Sequence, residues 1–478
     1  MDIMDIASKY IVSKTQKYGK KLQKEMSEPP IDKVQPYTIN GEKYNVGFAT
    51  AEVMPDLSGD KTYWIAGHGS GHKMEGVLTP VSVSAMWFDC GTGEGFVWVC
   101  ADIIGLTRVE VQTVRGMLAD FSKKSGCKFI NISCSHSHSG IDTIGYWGKP
   151  NLVSIPSDGK DPDYMKLLFN RICEVCEKAY ENRKPGKLYL GTVNVPGAQF
   201  AKRLLGKLND TLTRFRFVPE DGGRESWLVN FAGHPNSLGG SNRMLSGEYP
   251  YFLRETVKNG CGADIMFGNG AVGALDLAQL DENDNVENIK KQGKMLGEAA
   301  MSVCNDEELK PEITLLNQPF YMPASNYVLT LLAMRKTMNT DAYPDTRGDV
   351  GIALKSEMTY LKIGKQQILM LPGENFSPTI YGDYIGAEES CTGKGGEINP
   401  KPLVDVAGDK NLLVFGISND MTGYVVPPND FLLNPTQPYL NGYKDKFGKN
   451  HYHETNSLGK NIQQVLVDEF TDIMSRVK

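Results

Sequence analysis

The stretch KFINISCSHSHSG, residues 128–140, decides how this chain is read. From Ile130 to Ser135 apolar and polar positions alternate, which predicts that the first eight residues form a β-strand. The strand runs straight into His136 and His138. Residues two apart on extended backbone project to the same face. Both imidazoles can therefore enter one pocket while Ser135 and Ser137 face the other way. The chain has only seven histidines in 478 residues, so the pair is a conspicuous use of a scarce residue. Spacing alone leaves three readings open: metal ligands, catalytic groups, or two hydrogen-bonded loop residues.

Working outward, VSVSAMWFDC (81–90) and GFVWVCADII (95–104) read as buried strands flanked by glycine-rich turns. LTRVEVQTVRGMLADFSKKSG (106–126) reads as a helix with Gly126 just past its end. Downstream, helices are expected over 163–182, 288–304 and 457–478. Strands are expected over 186–195, 213–219, 226–234, 263–273 and 411–420, with a hairpin over 357–374. No internal repeat and no long polar linker interrupts this order. The expectation is one large α/β unit over 36–478, with mixed β-sheets flanked by helices, preceded by an N-terminal helical extension over 1–35.

The composition is that of a soluble globular protein, 40% hydrophobic and 23% charged. A net charge of −6 and the absence of a basic face or nucleic-acid module argue against nucleic acid as a partner. No 18-residue apolar run occurs, so no stable membrane insertion is expected. Lys9, Lys14, Lys17, Lys20, Lys21 and Lys24 make the opening segment basic, and it reads as a solvated helix ending at Pro29-Pro30. The first residues lack a secretory pattern, and nine scattered cysteines fit free thiols in a reducing cytoplasm. Cys173 and Cys176 form a lone C-x-x-C on a helix, without the second pair a zinc module needs.

Other polar residues recur at strand ends, where α/β folds place their sites. His234 closes SWLVNFAGH and precedes Pro235 and a loop rich in Gly, Asn and Ser. Glu374 follows an apolar strand in LMLPGE, and Tyr424 follows another in SNDMTGY. Gly268, Gly270 and Gly273 form a G-x-G-x-x-G after a strand, but no helix opens at the third glycine and no acidic residue closes a second strand. A dinucleotide site is therefore not expected. The loop is read instead as backbone amides near the reaction centre, with Asn269 and Gly270 facing substrate. His68 and His72 in IAGHGSGHKMEG are a second candidate pair for substrate contact.

Taken together, SHSHSG (135–140), FAGHPNSLGG (231–240), LSGEYP (245–250), MFGNGAVGALDL (266–277), LPGE (371–374), NDMTGYV (419–425) and YHETNSLG (452–459) resemble, in that order, the neutral ceramidase family. The similarity runs from about residue 45 to residue 465. Members of that family are zinc-dependent amidases that cleave the N-acyl bond of ceramides. The resemblance implies that His136, His234, Glu374 and Tyr424 hold a zinc ion (Zn2+), and that His138 lies beside it and contacts the substrate or the reacting oxygen. It also matches, more loosely, a family arginine to Arg203. Such a set fits zinc chemistry, which makes hydroxide available near neutral pH, with His138 or a nearby carboxylate protonating the leaving amine.

Two departures qualify the resemblance. The family carries a serine in a G-D-V-S-P stretch, whereas this chain reads GALDL (273–277), with Asp276 in the serine position and Ala274 in the aspartate position. Asp276 is expected to act as a general base, to bind substrate, or to cap a loop. The family's C-terminal immunoglobulin-like domain also has no counterpart after the last helix, so the expected fold is the catalytic domain alone. Together with the missing secretory pattern, this favours a small soluble N-acyl compound over a membrane lipid. An esterase, lactonase, lyase or isomerase on the same zinc scaffold, and an inactive binding protein, are the alternatives. The partner expected is a small-molecule substrate, and a homo-oligomer is left open. The segment 381–410 reads as an insertion that acts as a lid. His451 and His453 lie where the family has a Tyr-Glu pair, and nothing in their spacing supports a second metal.

Overall fold

The computed structural model describes residues 3–152 and 155–477. The strands read around residues 81–104 form as expected, Ser82–Asp89 antiparallel to Gly95–Ala101, and both are almost wholly buried. They sit in a nine-stranded mixed sheet. Its path runs Asp264–Asn269, Ser226–Phe231, Thr211–Pro219, Lys184–Asn194, Tyr44–Glu52, Ser82–Asp89, Gly95–Ala101 and Cys127–Cys134, with Glu307–Glu308 added beside Lys184–Asn194. A second, six-stranded sheet runs Tyr37–Asn40, Glu312–Ala324, Ile352–Ile363, Gln366–Met370 and Leu413–Phe415, with Ala342–Pro344 paired to Ile352–Ile363.

The two sheets stack. Val46, Phe88, Trp98 and Phe215 of the larger meet Ile313, Leu361, Ile368 and Phe415 of the smaller in one cluster. Each outer face is covered by helices. Pro162–Glu181 sets Leu168, Ile172 and Val175 against Val83 and Val97. Ile462–Val477 sets Leu466, Phe470 and Ile473 against Phe320, Met358 and Leu369. Strands covered on both faces lose the apolar-polar alternation, which explains the continuous apolar runs. Each fully buried Leu, Ile or Phe contributes roughly 1.5–3 kcal/mol.

Several boundaries differ from expectation. The 106–126 helix breaks at Leu118 into Arg108–Met117 and Ala119–Ser125. A reciprocal Thr107–Glu110 capping box starts it and Gly126 ends it. Among the elements not legible in the sequence are the helices Glu248–Cys261 and Tyr327–Met334, and the long strand Glu312–Ala324. That strand contains Pro319 and Pro323, which argue against a strand interior. Tyr37–Asn40 pairs only with residues 312–315, so both prolines lie where the strand is an edge and needs no donor on that side.

The N-terminal helix, Ile3–Glu25, is no solvated arm. It docks along Tyr327–Met334 and Ala342–Pro344 and buries Ser8, Ile11, Thr15 and Gly19, with its six lysines facing outward. Segment 381–410 is anchored in the body at several points. Ile385, Ser390, Leu403 and Val404 are buried within the body, and Asn429 Nδ2 donates to Ile385 O at 2.9 Å.

Candidate metal centre

The strand Cys127–Cys134 delivers the histidine pair, as the sequence predicts. Immediately after it, His136 adopts φ +69°. An L-residue in this left-handed region costs about 1–2 kcal/mol. The strain is held by Ser135 N donating to Ala101 O at 2.8 Å and His136 N to Ile103 O at 3.1 Å. His136 Nδ1 lies 2.7 Å from Ile104 O and His234 Nδ1 lies 3.0 Å from Leu275 O. Each Nδ1 must carry the hydrogen, because a carbonyl only accepts. In the neutral rings both Nε2 atoms therefore carry lone pairs, and both point at one carboxylate oxygen. Glu374 Oε2 is 3.2 Å from His136 Nε2 and 2.9 Å from His234 Nε2. Glu374 pairs in register with Tyr424 on two short parallel strands, Glu374–Asn375 and Tyr424–Val425. Gly373, at φ +65°, permits this pairing, since a Cβ there would lie 2.3 Å from Gly423 O.

Three acceptors turned on one point need a cation or a shared proton between them. Zinc bonds of ~2.0–2.1 Å in a tetrahedron place donor atoms about 3.3 Å apart, close to the two spacings observed. The donor set fits zinc. Burial pushes the Glu374 carboxyl up, but the charges and hydrogen bonds of His136 and His234 outweigh it and hold it well below the usual range. Burial pushes His234 down, and its bond to Glu374 outweighs that and raises it. The Tyr424 phenol is raised by burial first and then by Glu374.

His138 completes the group. Its backbone N–H donates to Pro235 O at 2.8 Å, tying the two histidine loops together. Donor atoms of His136, His138 and His234 lie within 4.8 Å of one another. Both ring nitrogens of His138 are buried and unpartnered among the described residues. Burial first, then the neighbouring histidines, depress its pKa well below the ordinary value, so the ring is neutral.

The centre separates two cavities. One, of about 110 Å³, has an apolar wall of Ile104, Ile144, Tyr146, Trp147, Leu329 and Met338. The other, of about 460 Å³, is polar and lined by Lys202, Asn236, Asp276 and Tyr452. Gly67, His68, His138, Tyr424 and Asn456 belong to both. Gly67, at φ +103°, lies so close to His138 that a Cβ there would sit 2.3 Å from Cγ of the ring.

Of the other candidates, His68 and Asp276 reach this site. The His68 ring is 5.1 Å from that of His138, and its pKa is pushed down to about 4 by burial and then by the charge of Lys202. Asp276 Oδ1 accepts from Asn236 Nδ2 at 2.9 Å, and Oδ2 pairs with Lys202 Nζ at 2.9 Å. His72 lines neither cavity. Asn269 and Gly270 line neither cavity. Asn269 Nδ2 donates to Ser135 O and Gly233 O, both at 2.9 Å, and its Oδ1 accepts from the Gly233 and Gly270 amides. Buried and fully engaged, Asn269 binds the two histidine loops to the glycine loop.

Arg203 also lies outside both cavities. Its Nη1 is 3.0 Å from Glu454 Oε1 and its Nη2 2.7 Å from Asp430 Oδ2, all three side chains buried. A lysine the sequence reading passed over, Lys202, reaches the polar cavity instead. Lys202 and Arg203 both lie in the bend that follows the short strand Gln199–Ala201. Cys391, Asp430 and His451 also bring donor atoms within 4.8 Å of one another. There Arg203 already supplies the cation for Asp430, and His451 Nδ1 lies 2.8 Å from Glu454 Oε1.

No family model matches the sequence. Solved structures do match the fold. Neutral ceramidase from Pseudomonas aeruginosa superposes with a TM-score of 0.63 at 15% identity, covering 91% of this chain and 75% of that one. A ceramidase complexed with C2 superposes with a TM-score of 0.65 at 14% identity, covering 91% and 76%. The order of sequence motifs, the stacked mixed sheets and these superpositions agree: the chain has a neutral-ceramidase-like fold.

Proposed function

We propose that this chain is a zinc-dependent hydrolase that cleaves the C–N amide bond of a small, soluble N-acyl compound. The observation that carries the reading is the convergence of two histidine lone pairs and Glu374 Oε2 on one point, at 3.2 and 2.9 Å. His136, His234 and Glu374 would hold the zinc, with Tyr424 at hand as the fourth ligand. Bound zinc supplies hydroxide near neutral pH and a Lewis acid for an acyl carbonyl.

The chain's own residues divide the substrate. The apolar cavity takes the acyl group and the polar cavity the amine half, so the scissile bond lies beside His138. Neutral His138, with free ring nitrogens, is placed to hold a proton and pass it to the departing nitrogen. Asp276 is bound by Lys202 and Asn236, which supports attack by water over a nucleophilic side chain at the position of the family serine. An acyl cavity of about 110 Å³ favours a short chain. The ceramidase neighbours support amide chemistry, and the free cysteines support a cytoplasmic location.

The test is metal analysis of the purified protein, followed by amine release from a panel of N-acyl compounds that includes ceramide and matched esters. About one zinc per chain and release of amine from short-chain amides are expected. His136→Ala and His234→Ala should lose metal and turnover together. A metal-free native protein would overturn the zinc reading, and cleavage of esters alone would overturn the amidase reading.

A further inference from the structure

We infer that Lys202 forms a carboxylate-binding subsite in the polar cavity, which makes N-acyl amino acids the substrate class. This rests on the amide-hydrolase reading and goes beyond it by naming the amine half. Lys202 sits just past the short strand Gln199–Ala201, which pairs antiparallel with Leu275–Leu277. Its backbone N–H donates to Ala274 O at 3.0 Å, which fixes the stem next to the histidine loop. The side chain is 35% exposed, that of Asp276 only 14%.

The hydrogen-bond inventory of this wall selects the ligand. Both Asp276 oxygens are engaged, one by Asn236 and one by Lys202, so the carboxylate has little left to offer a ligand. An ammonium has three hydrogens, and the pair with Asp276 uses one. The other polar groups of the wall are histidine, tyrosine and asparagine side chains, with no second carboxylate. The fixed charge with hydrogen-bond capacity to spare is therefore the Lys202 ammonium, which keeps two hydrogens for a ligand. It suits an anion on the amine side of the scissile bond, and in an N-acyl amino acid the carboxylate stands one carbon from the amide nitrogen. Asp276 holds Lys202 extended and is a positioning residue. In the reaction, water gives its oxygen to the acyl carbon and its proton to nitrogen as the C–N bond breaks. The products are a short carboxylic acid and a free amino acid.

The probes are N-butanoylglycine and its neutral isostere N-butanoylglycinamide. Calorimetry on the metal-free protein should show at least tenfold tighter binding of the carboxylate. In Lys202→Met this ratio should fall towards one, and Lys202→Arg should retain it, which separates lost charge from lost folding. On the zinc-loaded enzyme the discrimination should appear in KM rather than kcat. Equal affinity for the two probes, no measurable binding of the carboxylate, or a preference that survives in Lys202→Met overturns the subsite. Carboxylate preference in binding without turnover of either amide keeps the subsite and removes the amidase reading. Turnover of both amides with equal KM does the reverse.

Discussion

Replacing Arg203 by methionine should destabilise the protein by about 3–5 kcal/mol at pH 7. The guanidinium is 1% exposed and pairs with Asp430 Oδ2 at 2.7 Å and Glu454 Oε1 at 3.0 Å, whose side chains are 6% and 1% exposed. Removing one partner of a buried ion pair costs about 3–5 kcal/mol, because the charge left behind has lost both water and its counter-ion. Unfolding entropy of about 2.1 cal/mol/K per residue gives about 1.0 kcal/mol/K for 478 residues. Treated as one cooperative unit, the variant should melt about 3–5 °C lower.

Removing the two stranded carboxylates identifies the cause. Adding Asp430→Asn and Glu454→Gln should recover most of the loss at pH 7. Thermal melts followed by circular dichroism at pH 7 read both. An Arg203→Met protein as stable as wild type, with only turnover lost, would refute the structural assignment and return Arg203 to the catalytic role first read for it.

Gly67→Ala puts a Cβ 2.3 Å from His138 Cγ at φ +103°. It should lower kcat at least tenfold while metal analysis still finds about one zinc per chain, since misplacing a catalytic group by about 1 Å can cost on the order of 100-fold. Glu248 is fully buried and burial raises its pKa from 4.5 to about 7 against hydrogen bonds from Ser139 and Leu238. Its contribution, full below the unfolded pKa and lost as pH rises through about 7, amounts to about 3 kcal/mol. Glu248→Gln should flatten the stability profile over that window in chemical denaturation. Trp147→Leu enlarges the apolar cavity and should raise the kcat/KM ratio of hexanoyl over propanoyl amides at least tenfold, read by amine release from the two substrates.

Much of the fold is legible because burial leaves a local trace. The apolar runs at 81–90 and 95–104, Gly126 at a helix end and the helical period of 163–182 each fix an element from within a few residues. Glu312–Ala324 escaped because its prolines are tolerated only at an edge, and whether a strand is an edge depends on its neighbours. The candidate ligands were legible too, since His136, His234, Glu374 and Tyr424 each end a strand in a polar, Gly-rich context. Their convergence was implied by motif order and not by spacing. Hydrogen-bond partners from distant segments, Ile104 O and Leu275 O, turn the two lone pairs towards Glu374. Only the tertiary structure exchanged Arg203 for Lys202 at the cavity and engaged the Asn269 amide within the protein. The physical reason is common to both: a side chain's chemistry is set by its sequence, but its free hydrogen-bond capacity is what remains after remote segments have bonded to it.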